Sequence, residues 1–158
     1  MERQWPLDYE MANCNIAAAL SVVGEKWTFL VLREAFSGIR RFDDMQRRTR
    51  APRQVLSSRL VHLVDEGILR KVPYQVYGQR PRSEYRLTDK GLDLFPVIAS
   101  LLAWGDKYMS GPEGPSLLLT HRDCGAAVRT QLRCADGHVV SSAREVTPLP
   151  GPGARRIA

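Results

Sequence analysis

The sequence predicts a mainly α-helical domain with one β-hairpin, followed by a small β-rich appendage at the C-terminal end. Apolar residues recur every three or four positions in successive segments between residues 15 and 109, which is the spacing of helices that bury one side. Two strand-like segments flank a loop that contains Gly78 and Pro81, as in a hairpin. Beyond Gly111-Pro112 only short strand-like runs occur, so the tail is predicted to be a separate part.

Three helices are predicted in the first third of the chain. They are Asn15–Val23, Lys26–Phe36 and Phe42–Arg48. Gly24 ends the first of them and Gly38 ends the second, because glycine favours helix ends. Asp43 and Asp44 lie in the first turn of the third helix, where acidic side chains suit the positive end of the helix dipole.

A fourth helix is predicted at Pro52–Glu66, because proline fits a first helical position and Gly67 follows the last one. Its apolar side carries Leu56, Leu60 and Leu63, which are expected to face the core. The short third helix, the sharp turn and this fourth helix together predict a helix-turn-helix.

The hairpin and a long helix follow. Ile68–Tyr74 and Ser83–Leu87 are predicted to be its two strands, in the position where a winged helix-turn-helix domain has its wing. Thr88 is placed to cap a helix at Asp89–Met109, and Pro96 inside that segment is expected to kink or divide it.

Positive charge is concentrated in the centre of the chain. The formal net charge is +6, and residues 40–90 alone carry +7, whereas residues 1–39 carry −2 and residues 91–158 carry +1. A concentrated basic segment is typical of proteins that bind a polyanion, because each neutralised phosphate releases counterions. A solvated basic face is the alternative that composition alone leaves open.

The fourth helix presents a polar side opposite its leucines. Its residues Arg53, Gln54, Ser57, Ser58, Val61 and His62 include no carboxylate. Arginine can read guanine, glutamine can read adenine, and serine can read either in the major groove. Arginines at the hairpin tip are suited to phosphates or the adjacent minor groove, and those around the short helix, Arg47 and Arg48 included, are suited to clamp phosphates. The predicted DNA-binding residues are Arg40, Arg41, Arg50, Arg53, Gln54, Ser57, Ser58, Arg59, His62, Arg80 and Arg82.

Several stretches resemble the HxlR-type family, whose members are winged-helix regulators of bacterial transcription related in fold to the MarR group. The stretches lie between residues 12 and 106, about two-thirds of the chain, and their order and spacing carry the resemblance. They are Cys14, Val23–Glu34, Arg41–Met45, Pro52–Leu60, Leu63–Leu69, Glu84–Gly91 and Ala103–Gly105. Ala51 departs from the family pattern, which often has serine before the proline.

The resemblance implies a homodimer that binds double-stranded DNA at an inverted-repeat operator and regulates transcription. Repression is expected by analogy with dimeric winged helices, and a response to an oxidant or a small molecule stays open. The recognition helix would carry Arg53, Gln54, Ser57 and Ser58 against the bases. Arg59 matches the motif too, but an internal salt bridge is the alternative for it.

The predicted division of the chain has four parts. Residues 1–12 form an N-terminal arm, residues 13–110 the winged-helix DNA-binding and dimerisation domain, residues 116–147 a β-rich tail resembling a degenerate zinc ribbon, and residues 148–158 a flexible C-terminus. The strand-like runs of the tail are Leu117–His121, Val128–Cys134 and Val139–Ser142.

Cysteines and histidines raise two further hypotheses. Cys14 aligns with a cysteine that senses oxidants in some family members; a buried cysteine at the dimer interface is the alternative. In the tail, His121-x-x-Cys124 and Cys134-x-x-x-His138 have the spacing of zinc-ligand pairs, but Asp136-Gly137 stands where a further cysteine is expected. A metal-free degenerate ribbon and a contact between the cysteines are the alternatives, so neither a metal nor a cofactor is predicted.

Several classes of protein are excluded at this stage. The sequence shows no secretory signal or apolar run long enough for a membrane span, and a cytoplasmic protein is expected. Nucleophile, phosphate-loop and metalloprotease motifs are absent, so no enzymatic activity is predicted. The alternative function is a winged-helix protein-interaction module without specific DNA readout, which would have no reason to keep a basic recognition face.

Overall fold

The computed structural model describes residues 9–10 and 12–157 of the chain. They fall into two compact units. One comprises the described residues of Met1–Ser21 together with Thr130–Ala158, and the other comprises Val22–Arg129. Residues 130–147 group with the N-terminal segment in the first of these units.

The order of elements agrees with the predicted one through the winged-helix region, and the fold class is confirmed. The helices are α1 (Asn15–Val23), α2 (Lys26–Phe36), α3 (Phe42–Thr49), α4 (Arg53–Asp65), α5 (Asp89–Leu92) and α6 (Phe95–Met109). The strands are β1 (Tyr9–Glu10), β2 (Leu69–Tyr74), β3 (Arg82–Leu87), β4 (Leu132–Arg133), β5 (Val139–Val140) and β6 (Arg155–Arg156).

The core of the larger unit lies between α2, α3, α4 and the start of β2. Leu56, Leu60 and Leu63 of α4 are all 0% exposed, as their helical spacing predicts. They pack with Leu32 of α2 and Met45 of α3 in one cluster. Each fully buried leucine contributes about 2 kcal/mol through removal of apolar surface from water, so this cluster fixes which side of α4 faces outward.

An ion cluster around the buried Glu34 joins α2 to α3. The Glu34 carboxylate is fully buried, and Arg33 donates to it at 2.6 Å. Arg48 at the end of α3 donates to the other carboxylate oxygen. Arg48, which the sequence suggested as a phosphate clamp beside Arg47, is therefore engaged within the protein.

The hairpin is a regular antiparallel ladder from Leu69 opposite Leu87 to Tyr74 opposite Arg82. Its base is closed by the carbonyl of Ile68, which accepts hydrogen bonds from the backbone N–H and hydroxyl of Thr88 at 3.1 and 3.2 Å. The Thr88 hydroxyl also accepts from the N–H of Gly91, which confirms its predicted role as a helix cap. The wing is thus fixed to the segment that leads into α5.

Pro96 divides the predicted long helix. α5 ends at Leu92, and α6 begins at Phe95 with the proline in its first turn. A proline there forfeits no helical hydrogen bond, because the first N–H groups of a helix have no acceptor within it.

The smaller unit has little regular structure. β1 pairs with β6, β4 pairs with β5, and Ala143–Glu145 forms one turn of 3-10 helix. Asn13 donates to the carbonyl of Gly153 at 2.6 Å. The C-terminal segment that was predicted to be flexible therefore has a strand partner, while residues 1–8 and 11 of the predicted arm lie outside the described residues.

The tail strands are shorter than the sequence predicts. Val128–Cys134 contributes only the two residues of β4, and the run Leu117–His121 contributes a single bridge between Thr120 and Ala127. Apolar side chains of these segments, such as Leu118 and Leu132, are 72% exposed, so little buried surface supports longer strands.

Among the described residues, no single helix is long and apolar enough to cross a membrane, although α1 and α2 would meet that requirement as a bent pair.

Two buried threonines give a matched test of the core. Thr28 is fully buried, and its hydroxyl has no hydrogen-bond partner among the described residues, whereas the Thr49 hydroxyl donates to the Met45 carbonyl at 2.7 Å. We expect Thr28→Val to raise the free energy of unfolding by about 1 kcal/mol and Thr49→Val to lower it by about the same amount. Urea denaturation measures the free energy of unfolding of both variants. A change of the same sign in the two variants would contradict this expectation.

Candidate nucleic-acid interface

The exposed side of α4 is the centre of the candidate interface. Gln54, Ser57 and Ser58 are exposed and lie opposite the buried leucines. These short donors and acceptors protrude little, so the helix can approach a base edge closely. Pro52 is the N-cap residue of α4, and no side chain caps the first turn, so the leading N–H groups of the helix are left without a side-chain acceptor and can bind an anion.

Arg53 is held at the N-terminal end of this side. Its guanidinium lies 4.8 Å from the centre of the Phe42 ring, and its side chain is 72% exposed. The Asp43 carboxylate lies 3.9 Å from Arg53 and 3.2 Å from Arg82 at the start of β3. Asp43, which the sequence marked only as a helix-dipole residue, therefore joins the recognition helix to the wing.

A cleft of about 800 Å³ separates α3 and α4 from the hairpin. Arg41, Arg53, Lys71 and Arg82 contribute its basic side chains. Arg41 stacks on the Tyr74 ring at 4.5 Å from the ring centre, so the hairpin positions this arginine. Lys71 was missed by the sequence prediction; its exposed position on β2 beside Arg70 was the available signal.

The hairpin is also attached to the segment before α3. The N–H of Tyr85 donates to the Arg40 carbonyl at 2.8 Å. Because this bond uses only the backbone of Arg40, its exposed side chain takes no part in it. Burial raises the pKa of the Tyr85 phenol, so this side chain stays uncharged at neutral pH. Arg80 is exposed in the loop between the strands.

Unlike the exposed Arg41, Arg53 and Arg82, two of the predicted DNA-binding residues, Arg59 and His62, are partly buried against their partners inside the protein. Arg59 is only 21% exposed and donates to Glu25 at 2.7 Å, which is the internal salt bridge considered as its alternative. A ring nitrogen of His62 lies 2.9 Å from the Val22 carbonyl oxygen. We therefore give Arg59 and His62 structural roles and leave them out of the proposed contacts with DNA.

Arg50 occupies an unusual backbone conformation. It ends α3 with a φ of 56°, and among the described residues no other non-glycine residue has positive φ. The left-handed region is disfavoured for side chains with a Cβ, and glycine is the usual residue at this place. The exposed side chain of Arg50 at a position that favours glycine indicates that its positive charge has a function.

We expect Arg50→Gly to raise the free energy of unfolding by about 1 kcal/mol, because glycine adopts this conformation without strain. The same change removes one phosphate contact, so the slope of log K against log salt should fall by about 1. Arg50→Lys, which keeps the charge, is the control. A stability gain without any change in salt dependence would show that Arg50 does not reach a phosphate.

Cys14 lies at the start of α1. Its carbonyl accepts the N–H of Ala18 at 3.0 Å, its thiol is free, and the residue is half-buried.

The two Cys/His pairs of the tail fall in different units. In the larger unit the Cys124 thiol lies 3.4 Å from Nδ1 of His121. In the smaller unit the Cys134 thiol lies 3.5 Å from Nδ1 of His138.

An apolar cavity of about 680 Å³ lies within the larger unit. Phe29 and Phe36 of α2, Ile98 of α6 and Leu119 of the following segment line it, and Arg122 is at its edge. Its size and apolar lining are typical of sites for small organic molecules.

Comparison with known proteins agrees with this geometry. Residues 22–113 match the HxlR-like helix-turn-helix family. The chain is 46% identical over 147 residues to the uncharacterised HTH-type transcriptional regulator Rv3095 of Mycobacterium tuberculosis, covering 93% of this chain and 92% of that protein.

Solved structures show the same fold. The candidate transcription factor PA1607 has a TM-score of 0.77 at 35% identity, covering 87% of this chain and 95% of its own. The redox regulator HypR in its reduced form has a TM-score of 0.53 at 25% identity, covering 59% of this chain and 91% of its own. Together with the exposed face of α4 and the basic cleft beside it, these likenesses show that the chain belongs to the HxlR-like helix-turn-helix family of MarR-like winged-helix fold and is a DNA-binding transcriptional regulator.

Proposed function

We propose that the protein is a homodimeric repressor that binds an inverted-repeat operator, with α4 of each protomer in a major groove. The observation that carries this is the exposed side of α4, whose first two turns present Arg53, Gln54 and Ser57 beside a basic cleft and carry no carboxylate. Arg41 and Arg82 would contact phosphates and set the register of the helix, while α4 would read the bases. Such a regulator acts in the cytoplasm, where its DNA partner lies.

Dimerisation is supported by exposed apolar side chains on α6. Leu101, Trp104 and Tyr108 are 50%, 54% and 58% exposed, and the rings of the last two lie 5.4 Å apart. Ile16 and Leu20 of α1 are likewise exposed. Apolar surface of this extent on soluble helices is typical of protein interfaces.

Selection of bound duplexes from a random pool tests the operator. A two-fold symmetric site with half-sites about 10 base pairs apart would support a dimer with its recognition helices in successive major grooves. A steep loss of affinity with rising salt is expected, because several phosphates are neutralised. Absence of any preferred duplex would favour the alternative, a winged-helix module that binds protein.

Regulation through Cys14 is the second part of the proposal. Its half-buried thiol at the start of α1 and the likeness to the redox regulator HypR support it. Peroxide or a quinone should weaken operator binding by the unmodified protein and leave Cys14→Ser unaffected. Equal sensitivity of the two proteins would remove Cys14 from regulation.

The apolar cavity supports a response to a small molecule as the other route. Leu102→Trp would occupy part of the cavity from α6, at a side chain that does not pack against the buried core cluster. An apolar effector that releases the unmodified protein from its operator should then fail to release this variant. Release of both proteins from the operator at the same effector concentration would show that the effector binds outside this cavity.

A further inference from the structure

Three metal-ligating side chains meet at the turn between β4 and β5. Each of Cys134, Asp136 and His138 offers one ligand atom, and these atoms lie within 4.8 Å of one another. Within residues 9–10 and 12–157, this is the one group of three or more such side chains placed so closely. All three are exposed, so an ion can reach them from solvent.

The backbone holds the two ends of this turn together. The N–H of Cys134 donates to the His138 carbonyl at 3.0 Å, and the N–H of Gly137 donates to the Cys134 carbonyl at 2.9 Å. Gly137 has a φ of 83°, which a residue with a side chain rarely adopts. Arg133 donates to the Gly137 carbonyl at 2.8 Å from outside the turn. The backbone of the turn is therefore held by its own hydrogen bonds in the absence of an ion.

The separation of thiol and imidazole matches a shared ion. Zinc–sulfur and zinc–nitrogen bond lengths at a tetrahedral angle place the two ligand atoms about 3.6 Å apart. The Cys134 sulfur and His138 Nδ1 are 3.5 Å apart. A direct hydrogen bond between thiol and imidazole has a similar length, so the carboxylate of Asp136 is what distinguishes a metal site from a simple pair.

We propose that the turn 134–138 binds one zinc ion through the Cys134 thiolate, the His138 imidazole and the Asp136 carboxylate, with water in the fourth position. Thiolate, imidazole and carboxylate are the ligands that zinc takes in proteins, and three protein ligands leave one open position. Binding releases the Cys134 thiol proton to solvent, so affinity should rise with pH. The site shares no residue with the recognition helix or with the proposed oxidant-sensing cysteine.

Zinc titration of the full chain after chelator treatment tests the site, with free zinc set by competition against a chromophoric chelator. One zinc per chain is expected. Cys134→Ser and His138→Gln should each weaken binding by about 100-fold, and Asp136→Asn by about 10-fold. Cobalt in place of zinc should show a sulfur-to-cobalt charge-transfer band that Cys134→Ser removes. Cys14→Ser, which keeps every proposed ligand, is the matched control and should bind as the unmodified chain does.

Two results would overturn the assignment. Uptake of less than about a tenth of an equivalent of zinc would show that the thiol and imidazole only share a hydrogen bond. If Cys124→Ser weakened zinc binding as much as Cys134→Ser does, the ion would belong to a different set of ligands. Since circular dichroism of the metal-free variants reports folding separately, neither result can be confused with an unfolded protein.

Discussion

Ser57→Glu should lower affinity for the selected operator at least about 100-fold, because it places a carboxylate in the middle of the α4 face that approaches DNA. Ser57 is exposed and lines the cleft between α4 and the hairpin. The new charge would meet phosphates and base acceptors, and it would also compete for the guanidinium of Arg53. The free energy of unfolding should change by less than about 0.5 kcal/mol, because Ser57 is exposed.

Ser116→Glu is the matched control for net charge. Ser116 is exposed and lies outside the winged-helix elements, so the variant carries the same extra charge at a distance in sequence from α4. Fluorescence anisotropy at several salt concentrations measures both variants. Near-normal binding by Ser57→Glu, or an equal loss in the two variants, would contradict the placement of α4 against bases.

Gly91→Ala should lower the free energy of unfolding by about 3 kcal/mol through overpacking at the base of the hairpin. A Cβ at this position would lie 2.3 Å from the Ile68 carbonyl oxygen and 3.0 Å from a methyl group of Leu87. The carbonyl cannot move aside without loss of its hydrogen bonds from Thr88. The clash therefore involves backbone rather than a flexible side chain.

Gly105→Ala is the control for a glycine replaced within helical structure. Gly105 lies inside α6, and an added Cβ would meet nothing within 4 Å. We expect this variant to be more stable by about 0.5–1 kcal/mol, because alanine restricts the unfolded chain more than glycine does. Thermal and urea denaturation measure both variants. Equal stability of Gly91→Ala and the unmodified protein would mean that the hairpin base is looser than the structure shows.

Local sequence patterns were sufficient to predict the helices that form the DNA-binding region. The bounds of α1 and α2 agree with those predicted, and α4 agrees within one residue at each end. Leucine spacing, Pro52 and Gly67 all act within one or two turns of the chain, so sequence neighbours decide them. The tail was predicted less well, because its short apolar runs lack the buried surface that makes a strand persist.

Partners distant in sequence could not be predicted in the same way. Arg48 and Arg59 look like further phosphate clamps in a basic segment, yet Glu34 and Glu25 engage them. Asp43 looks like a helix-dipole residue, yet it reaches Arg82 on the hairpin 39 positions away. A charged side chain interacts with whichever opposite charge lies within a few ångströms, and helix packing decides that distance.

The sequence by itself determined that the chain folds as a helix-turn-helix with a hairpin and that its positive charge lies in that region, because periodicity and composition are local properties. Only the tertiary structure decided which arginines remain available for DNA, how the hairpin is fixed to α3, and that Asp136 joins Cys134 and His138 at one turn. These arrangements depend on through-space distances, which the spacing of residues along a chain does not specify.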